Sequence, residues 1–163
     1  GYGSALIEGI NHTNTEFFSI INADGSMNPN ELSNMLDKII HNNFDIVFGS
    51  RYMNKAGSED DDLITKIGNF LFSLLGKVFF NLKISDILYT YVLGKTNKVK
   101  DLHLKSQDFK FCVELPIKSH RNNLKYTSYP CNERKRIAGK KKVSPFLDGF
   151  RILMGMIYLF FKR

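Results

Sequence analysis

The first 51 residues alternate between helical and strand-like hydrophobic patterns, and this alternation is the feature that most restricts the fold. Residues 2–13 carry apolar side chains at helical spacing, and the compact apolar run EFFSII at 16–21 has the length of a buried strand. A second helical stripe at 28–40 precedes a second buried strand, FDIVFGSR, at 44–51. The order helix, strand, helix, strand is typical of an α/β protein with a parallel sheet.

The rest of the chain continues as one domain of 163 residues, without an internal repeat or a long linker. The patterns predict an apolar helix at 63–80, an extended segment at 84–93, helices near 98–104 and 113–121, a strand at 124–129 and an amphipathic helix at 146–161. Within these segments, Asn28 is the predicted N-cap of the second helix, with Pro29 and Glu31 completing a capping box. Pro116 is expected in the first turn of its helix, where a proline is tolerated.

The charge balance indicates an anionic partner. The formal net charge is +7 and the isoelectric point is about 9.4, which favours phosphorylated small molecules, nucleic acid or an acidic membrane surface. The acidic run at 57–62 is most simply a solvated helix start. Two cysteines outside any C-x-x-C pair indicate a reducing compartment rather than a disulfide framework.

A polar turn, residues 22–26 with the sequence NADGS, separates the first strand from the second helix. Strand alternation places Asn22 and Asp24 on one side of the chain, at the end of a strand where open α/β sheets bind ligands. Such a pair can hold a divalent ion against a diphosphate. Asparagine, aspartate and glycine also favour turns without any ligand. Spacing alone therefore leaves both interpretations open.

A basic loop, residues 133–143 with the sequence ERKRIAGKKKV, precedes the last helix. It could be a solvated charge run, a nucleic-acid contact or a loop that closes over phosphates, with Gly139 supplying the bend. The chain lacks a recognised nucleic-acid-binding motif and interleaved aromatic residues, so nucleic acid is the less favoured partner.

The ordered motifs of the chain resemble family 2 glycosyltransferases of the GT-A fold, most closely the branch of dolichol-phosphate mannosyltransferases and polyprenyl-phosphate glycosyltransferases. The motifs are GYGSALIEGI, NADGSMNPNEL, FGSRY, GNFLFSLLGKVFFNLKISDILYTY, FCVEL and YPCNERKRIAGKKKV. They are collinear and cover nearly the whole chain. The resemblance implies a Rossmann-like mixed sheet flanked by helices and lacking its N-terminal strands, so the chain is expected to be the C-terminal part of a catalytic domain.

The resemblance also assigns roles to individual residues. It places Arg51, Asp86 and Glu114 at the catalytic centre. It places the donor diphosphate on residues of the polar turn and the basic loop, namely Asn22, Asp24, Arg134, Arg136 and Lys142. A divalent metal, Mg or Mn, is implied at Asp24, with Asn22 as a weak ligand because an amide stands where the family has a carboxylate.

The implied reaction is transfer of a sugar, with inversion, from a nucleotide-diphosphate donor to a polyprenyl phosphate or another membrane acceptor. The expected location is cytoplasmic, peripheral to the inner face of an anionic membrane, with residues 145–163 forming a membrane-proximal helix. A polyprenyl phosphate is already anionic and needs no general base, whereas a hydroxyl acceptor would need Asp86 or Glu114 to take its proton. A non-catalytic glycosyltransferase-like binding module is the alternative that Asn22 favours.

Overall fold

The computed structural model describes residues 1–139 and 143–162. The helices and strands alternate along the chain as follows: α1 Tyr2–His12, β1 Phe17–Ile20, α2 Glu31–Asn42, β2 Ile46–Ser50, β3 Gly57–Ser58, α3 Leu63–Phe80, β4 Val92–Lys95, α4 Thr96–Lys100, α5 Phe111–Arg121, β5 Tyr126–Pro130, β6 Asn132–Glu133 and α6 Pro145–Phe161.

The central sheet is mixed and has the strand order β1-β4-β2-β5. Strands β1 and β2 run in the same direction, as the sequence predicts, but β4 lies between them and is antiparallel to both. Strand β5 is parallel to β2. The carboxyl ends of β1, β2 and β5 therefore meet at one edge of the sheet, which is where ligands of open α/β sheets bind.

Helices cover both faces of this sheet because side chains alternate along each strand. Ile46 and Phe48 point into a large core that includes residues of α3, α5 and α6. Val47, between them, points into a smaller core with Met35 and Ile39 of α2. The prediction of a mixed sheet flanked by helices is confirmed.

Several boundaries differ from the predicted ones for local physical reasons. Helix α2 begins at Glu31 with Asn30 as its N-cap, because Asn28 accepts a hydrogen bond from the Asn30 N–H (3.3 Å) and forms a turn ahead of the helix. The predicted capping box at Asn28 was therefore wrong. Helix α5 begins at Phe111, so Pro116 lies inside the helix rather than in its first turn.

The segments on either side of α4 also differ from prediction. Residues 84–91 pack irregularly, and only the end of the predicted extended segment forms a strand, at β4. The following helix is short and lies earlier than predicted. The two-residue strand β6 ends at the first residue of the basic loop and pairs in parallel with β3. This small second sheet joins the acidic segment at 57–62 to the start of the basic loop.

Helices α3 and α6 leave a broad apolar surface exposed. Helix α3 is long and apolar enough to cross a membrane, and most of its residues are exposed. It nevertheless packs one side against the protein body through Asn69, Gly76 and Phe80. We call the exposed surface the apolar face; its members include Leu63, Ile67, Phe70, Val78, Phe146, Phe150 and Phe161.

Candidate functional site

The polar turn lies directly beyond the carboxyl end of β1. The carboxylate of Asp24 accepts a hydrogen bond from the Ser26 N–H (3.0 Å). Gly25 has a φ of 80°, which side-chain-bearing residues rarely adopt. The Asn22 N–H faces the Met27 sulfur at 3.2 Å, and no hydrogen bond of the Asn22 amide group occurs within the described part of the chain. The segment is thus an Asx turn in which one carboxylate and one amide are partly exposed.

The start of the basic loop lies against this polar turn and is fixed there by its main chain. The Arg134 N–H donates to the Ser26 carbonyl (2.9 Å), and the Ile137 N–H donates to the Asp24 carbonyl (2.8 Å). The Ile137 side chain packs so closely on Gly25 that an added Cβ there would lie 2.6 Å from Ile137 Cδ1. The polar turn and the start of the basic loop are therefore packed together as one structural unit.

Arg136, between these two anchors, bridges two carboxylates. Its Nε donates to Asp60 (3.1 Å) and its Nη2 donates to the same carboxylate (2.6 Å). Its Nη1 faces the Asp24 carboxylate at 3.6 Å. The hydrogen bond to Asp60 raises the pKa of Arg136 above its ordinary value, so this cation is permanent. We call this arrangement the Arg136 bridge.

A second arginine, Arg51, follows the carboxyl end of β2 and is buried. Its Nε and Nη2 donate to the two oxygens of Asp86 (2.8 and 3.0 Å). Its Nη1 pairs with Asp61 (3.0 Å) and Glu133 (3.1 Å). The Tyr89 ring covers the guanidinium at 4.5 Å. We call this cluster the Arg51 hub.

Opposing electrostatic effects act within the hub. Burial lowers the pKa of Arg51. The nearby carboxylates, of which Asp86 has the largest effect, raise this pKa by more than burial lowers it, so the net shift is upward. Burial raises the pKa of Glu133, and Arg51 only partly offsets this. The main-chain N–H of Arg51 also donates to Asp86 (3.0 Å). The hub joins the end of β2, the irregular segment at 84–91, the acidic segment at 57–62 and β6.

Glu114 lies in a different environment, in the first turn of α5. Its carboxylate accepts hydrogen bonds from the N–H groups of Lys105 (3.0 Å) and Ser106 (2.7 Å) and pairs with Lys118 (2.9 Å). Burial by itself raises the pKa of Glu114, but these partners lower it below its ordinary value. Among the described residues, Glu114 makes no hydrogen bond or ion pair with the hub or the bridge.

Part of this site lies in a region of the chain that matches a known protein family. The sequence model described as "Glycosyl transferase family 2" matches residues 1–103. The chain belongs to glycosyl transferase family 2. The matched region includes the polar turn, Arg51 and Asp86, while the basic loop and Glu114 lie beyond it.

Similar proteins support the same fold. An uncharacterized protein of Methanocaldococcus jannaschii is 25% identical over 165 residues, which covers 96% of this chain and 67% of that protein. Glucosyl-3-phosphoglycerate synthase from Mycobacterium tuberculosis, solved with Mn²⁺, UDP and phosphoglyceric acid, superposes with a TM-score of 0.71 at 12% identity. A mycobacterial protein of known structure gives the same TM-score at 10% identity.

The family 2 chain spans only about half of these structures. It covers 54% of the synthase and 50% of the other mycobacterial protein. Because the TM-scores are high and nearly all of this chain is covered, the structural likeness establishes the GT-A type of fold for the described region. The synthase has also been solved with Mn²⁺, UDP-glucose and glycerol 3-phosphate.

The structure brings some of the predicted site residues together and separates others. Asp24 and Arg136 face each other, and Arg51 and Asp86 form a bidentate pair. Arg134 contributes its main-chain N–H to the turn while its side chain is exposed. Lys142 lies outside the described residues.

Sequence reasoning missed three carboxylates of the site. Asp60 and Asp61 are ion-paired with side chains only 10% and 3% exposed, so the interpretation of 57–62 as a solvated run was wrong for them. Glu133 is buried in the hub. Asp62 does cap α3, accepting from the Thr65 N–H (2.7 Å). The opposite charges of EDDD at 59–62 and ERKR at 133–136 were the sequence signal that could have predicted this pairing.

The residues at the polar turn do not form a conventional divalent-metal site. Mg²⁺ and Mn²⁺ prefer several oxygen ligands, carboxylates first. Asn22 supplies only an amide, and Asp24 already accepts from Ser26 and faces Arg136. Across residues 1–139 and 143–162, no group of three or more His, Cys, Asp or Glu side chains is placed to hold a metal ion.

Proposed function

We propose that this chain is part of a family 2 glycosyltransferase that takes a sugar from a nucleotide-diphosphate donor. The observation that carries the proposal is the attachment of the basic loop to the polar turn, which places Arg136 beside Asp24 at the ligand-binding edge of the sheet. UDP bound to the structurally similar synthase supports a nucleotide donor.

The proposed chemistry is charge neutralisation at the leaving diphosphate. Guanidinium groups form bidentate contacts with phosphate oxygens, and fixed cations stabilise charge that develops in the transition state. Arg136 is fixed at the polar turn, Arg134 is exposed next to it, and Lys142 belongs to the same basic loop. These three cations are the proposed ligands of the diphosphate.

A phosphate acceptor fits the remaining geometry better than a hydroxyl acceptor. Both oxygens of Asp86 are held by Arg51, and both oxygens of Glu114 accept main-chain hydrogen bonds. Neither carboxylate is placed to remove a proton from an incoming hydroxyl. An ionised phosphate needs no base, so we propose that Asp86 acts by fixing Arg51 and the strand end near the reaction centre.

The apolar face supports a lipid acceptor at a membrane surface. It consists of exposed large side chains on two packed helices, including Phe70 and Phe150, and the same helices carry the exposed cations Lys66, Lys77 and Arg151. Such a surface binds the headgroup boundary of an anionic membrane. We propose a polyprenyl phosphate as acceptor, as in the dolichol-phosphate mannosyltransferase-like branch, with the enzyme on the cytoplasmic side.

The test is transfer by the full-length protein. Radiolabelled nucleotide sugars are supplied with polyprenyl phosphate in anionic vesicles or with the soluble phosphates 3-phosphoglyceric acid and glycerol 3-phosphate. Lipid-linked product supports the full proposal. If product forms only with a soluble phosphate, the proposed lipid acceptor is wrong and the acceptor is a soluble phosphate. If no donor gives either sugar transfer or hydrolysis of the donor, the proposed activity is contradicted.

A non-catalytic binding module is the second candidate, and Asn22 is the observation that favours it. A module of this kind would bind the nucleotide without turnover. In that case Asn22→Asp would strengthen Mn²⁺ binding in calorimetry without creating sugar transfer.

A further inference from the structure

The charge arrangement at the polar turn differs from that of a site built around a divalent ion. In the described region the turn offers one carboxylate, Asp24, and its Oδ1 accepts from the Ser26 N–H. The other oxygen faces the guanidinium of Arg136 at 3.6 Å. A cation of the protein itself therefore already lies where a metal would have to neutralise Asp24.

Two independent restraints hold this cation in place. Asp60, whose side chain is only 10% exposed, binds Nε and Nη2 of Arg136. The main-chain hydrogen bonds of Arg134 and Ile137 fix the loop on both sides of Arg136. The guanidinium is thus held before any ligand arrives, which removes part of the ordering cost of binding.

The held guanidinium keeps part of its hydrogen-bonding capacity. Arginine has five N–H donors, and the hydrogen bonds to Asp60 use the one on Nε and one of the two on Nη2. The 3.6 Å separation between Nη1 and Asp24 is longer than a hydrogen bond, and Nη1 makes no other hydrogen bond within residues 1–139 and 143–162. The Nη1 donors can therefore hydrogen-bond to a phosphate oxygen while Asp60 remains hydrogen-bonded to Nε and Nη2.

We infer that Arg136 is the resident cation of the donor site, and that this chain binds a nucleoside diphosphate through Arg136 without requiring a divalent ion. The inference rests on the proposed function. Mn²⁺ accompanies UDP in the similar synthase, so this chain differs from that protein in the source of the positive charge. The amide at Asn22 and the second carboxylate at Asp60 are the two features that distinguish an arginine-based site here.

Calorimetric titration of the full-length protein with UDP and with GDP tests this inference. Each titration is run in EDTA and in Mn²⁺. The expected affinity in EDTA lies within about threefold of that in Mn²⁺, and Arg136→Gln weakens binding about tenfold or more, as loss of a charge-assisted contact does. Lys135→Gln, which removes the same charge from an exposed position of the same loop, is the matched control and changes affinity less than about threefold.

The outcomes separate the inference from the proposed function. Binding that needs Mn²⁺ and is unaffected by Arg136→Gln would overturn the inference alone. Binding of neither nucleotide under any condition would overturn the proposed function and the inference with it. Asn22→Asp supplies a further readout: restoring a carboxylate should make the affinity for the diphosphate depend on Mn²⁺, and an unchanged response to Mn²⁺ would count against the role given to Asn22.

Discussion

The Arg51 hub and the Arg136 bridge each pair an arginine with carboxylates, yet they differ in how far the arginine is committed to the fold. The Arg51 side chain is 6% exposed and faces three carboxylates. The Arg136 side chain is 22% exposed and hydrogen-bonds to one. Arg51 is buried and its guanidinium is fully paired with carboxylates, which favours a structural role. Arg136 is held in place but has unused N–H donors, which favours ligand binding.

Some residues of the two clusters are also neighbours in sequence, so the small sheet formed by β3 and β6 positions residues of both clusters. Asp60 and Asp61 are adjacent, and Glu133 lies three positions before Arg136. Pairing of β3 with β6 brings these segments together, and Ser58 donates to Glu133 beside the pair. The hub thereby supports the position of the bridge, so damage to the hub is expected to affect donor binding indirectly.

Removal of the Arg51 guanidinium should have the largest effect. Arg51→Met leaves three carboxylates near one another without their cation, which is expected to lower the free energy of unfolding by about 3–5 kcal/mol. Denaturant unfolding of the full-length protein measures the change, with Arg136→Met as the matched variant. A loss below about 1 kcal/mol for Arg51→Met would contradict a structural hub.

Glu114 should resemble the hub rather than the bridge. Glu114→Gln replaces charge-assisted hydrogen bonds with neutral ones and is expected to cost about 1.5–3 kcal/mol at neutral pH. Because the folded-state pKa of Glu114 is lowered, its stabilisation is complete above its unfolded pKa, about 4.3, and is lost as the pH falls through the folded value. Unfolding curves from pH 7 to 3 should show the two proteins converging; a constant difference would show that ionisation of Glu114 is irrelevant.

Gly25 tests the attachment of the basic loop to the polar turn. Gly25→Ala forces a φ of 80° on an alanine and meets Ile137, so we expect a loss of about 1–2 kcal/mol and weaker nucleotide binding. Gly139→Ala is the control, because Gly139 has a similar φ of 85° but open space around it. Equal effects of the two substitutions on nucleotide affinity would argue against a role for the Ile137 contact.

The bridge itself should contribute least to stability. Arg136→Gln is expected to change the free energy of unfolding by about 0–1 kcal/mol, and this small effect should decrease further in high salt. The measurement is the same denaturant titration, at low and high ionic strength. A loss as large as that of Arg51→Met would place Arg136 among the structural residues and remove the contrast.

The fold was largely predictable because its signals are local. Apolar spacing located β1, β2, α3 and α6 and indicated a layered α/β domain. The insertion of β4 between β1 and β2 was not predictable from spacing, because strand order depends on long-range packing. Helix α5 begins at Phe111, two residues before the predicted start at 113, so Pro116 lies deeper in the helix than predicted.

The candidate site was predictable in its residue types but not in its pairings. The sequence pointed to Asp24, Arg51, Asp86 and Arg136, but not to the carboxylates that hold the two arginines. The acids at 59–62 satisfy the pattern of a helix start equally well, and only Asp62 serves as the cap. Their burial depends on the pairing of β3 and β6, which two-residue strands do not reveal in sequence.

The most direct test of the account is phosphorus NMR of UDP titrated with the full-length protein, since it observes the diphosphate itself. We expect the two phosphorus resonances to shift or broaden with wild-type protein in EDTA and to remain nearly unchanged with Arg136→Gln, while Lys135→Gln behaves as wild type. Equal perturbation by wild type and Arg136→Gln, or a perturbation that requires Mg²⁺, would contradict the claim that Arg136 supplies the positive charge of the donor site.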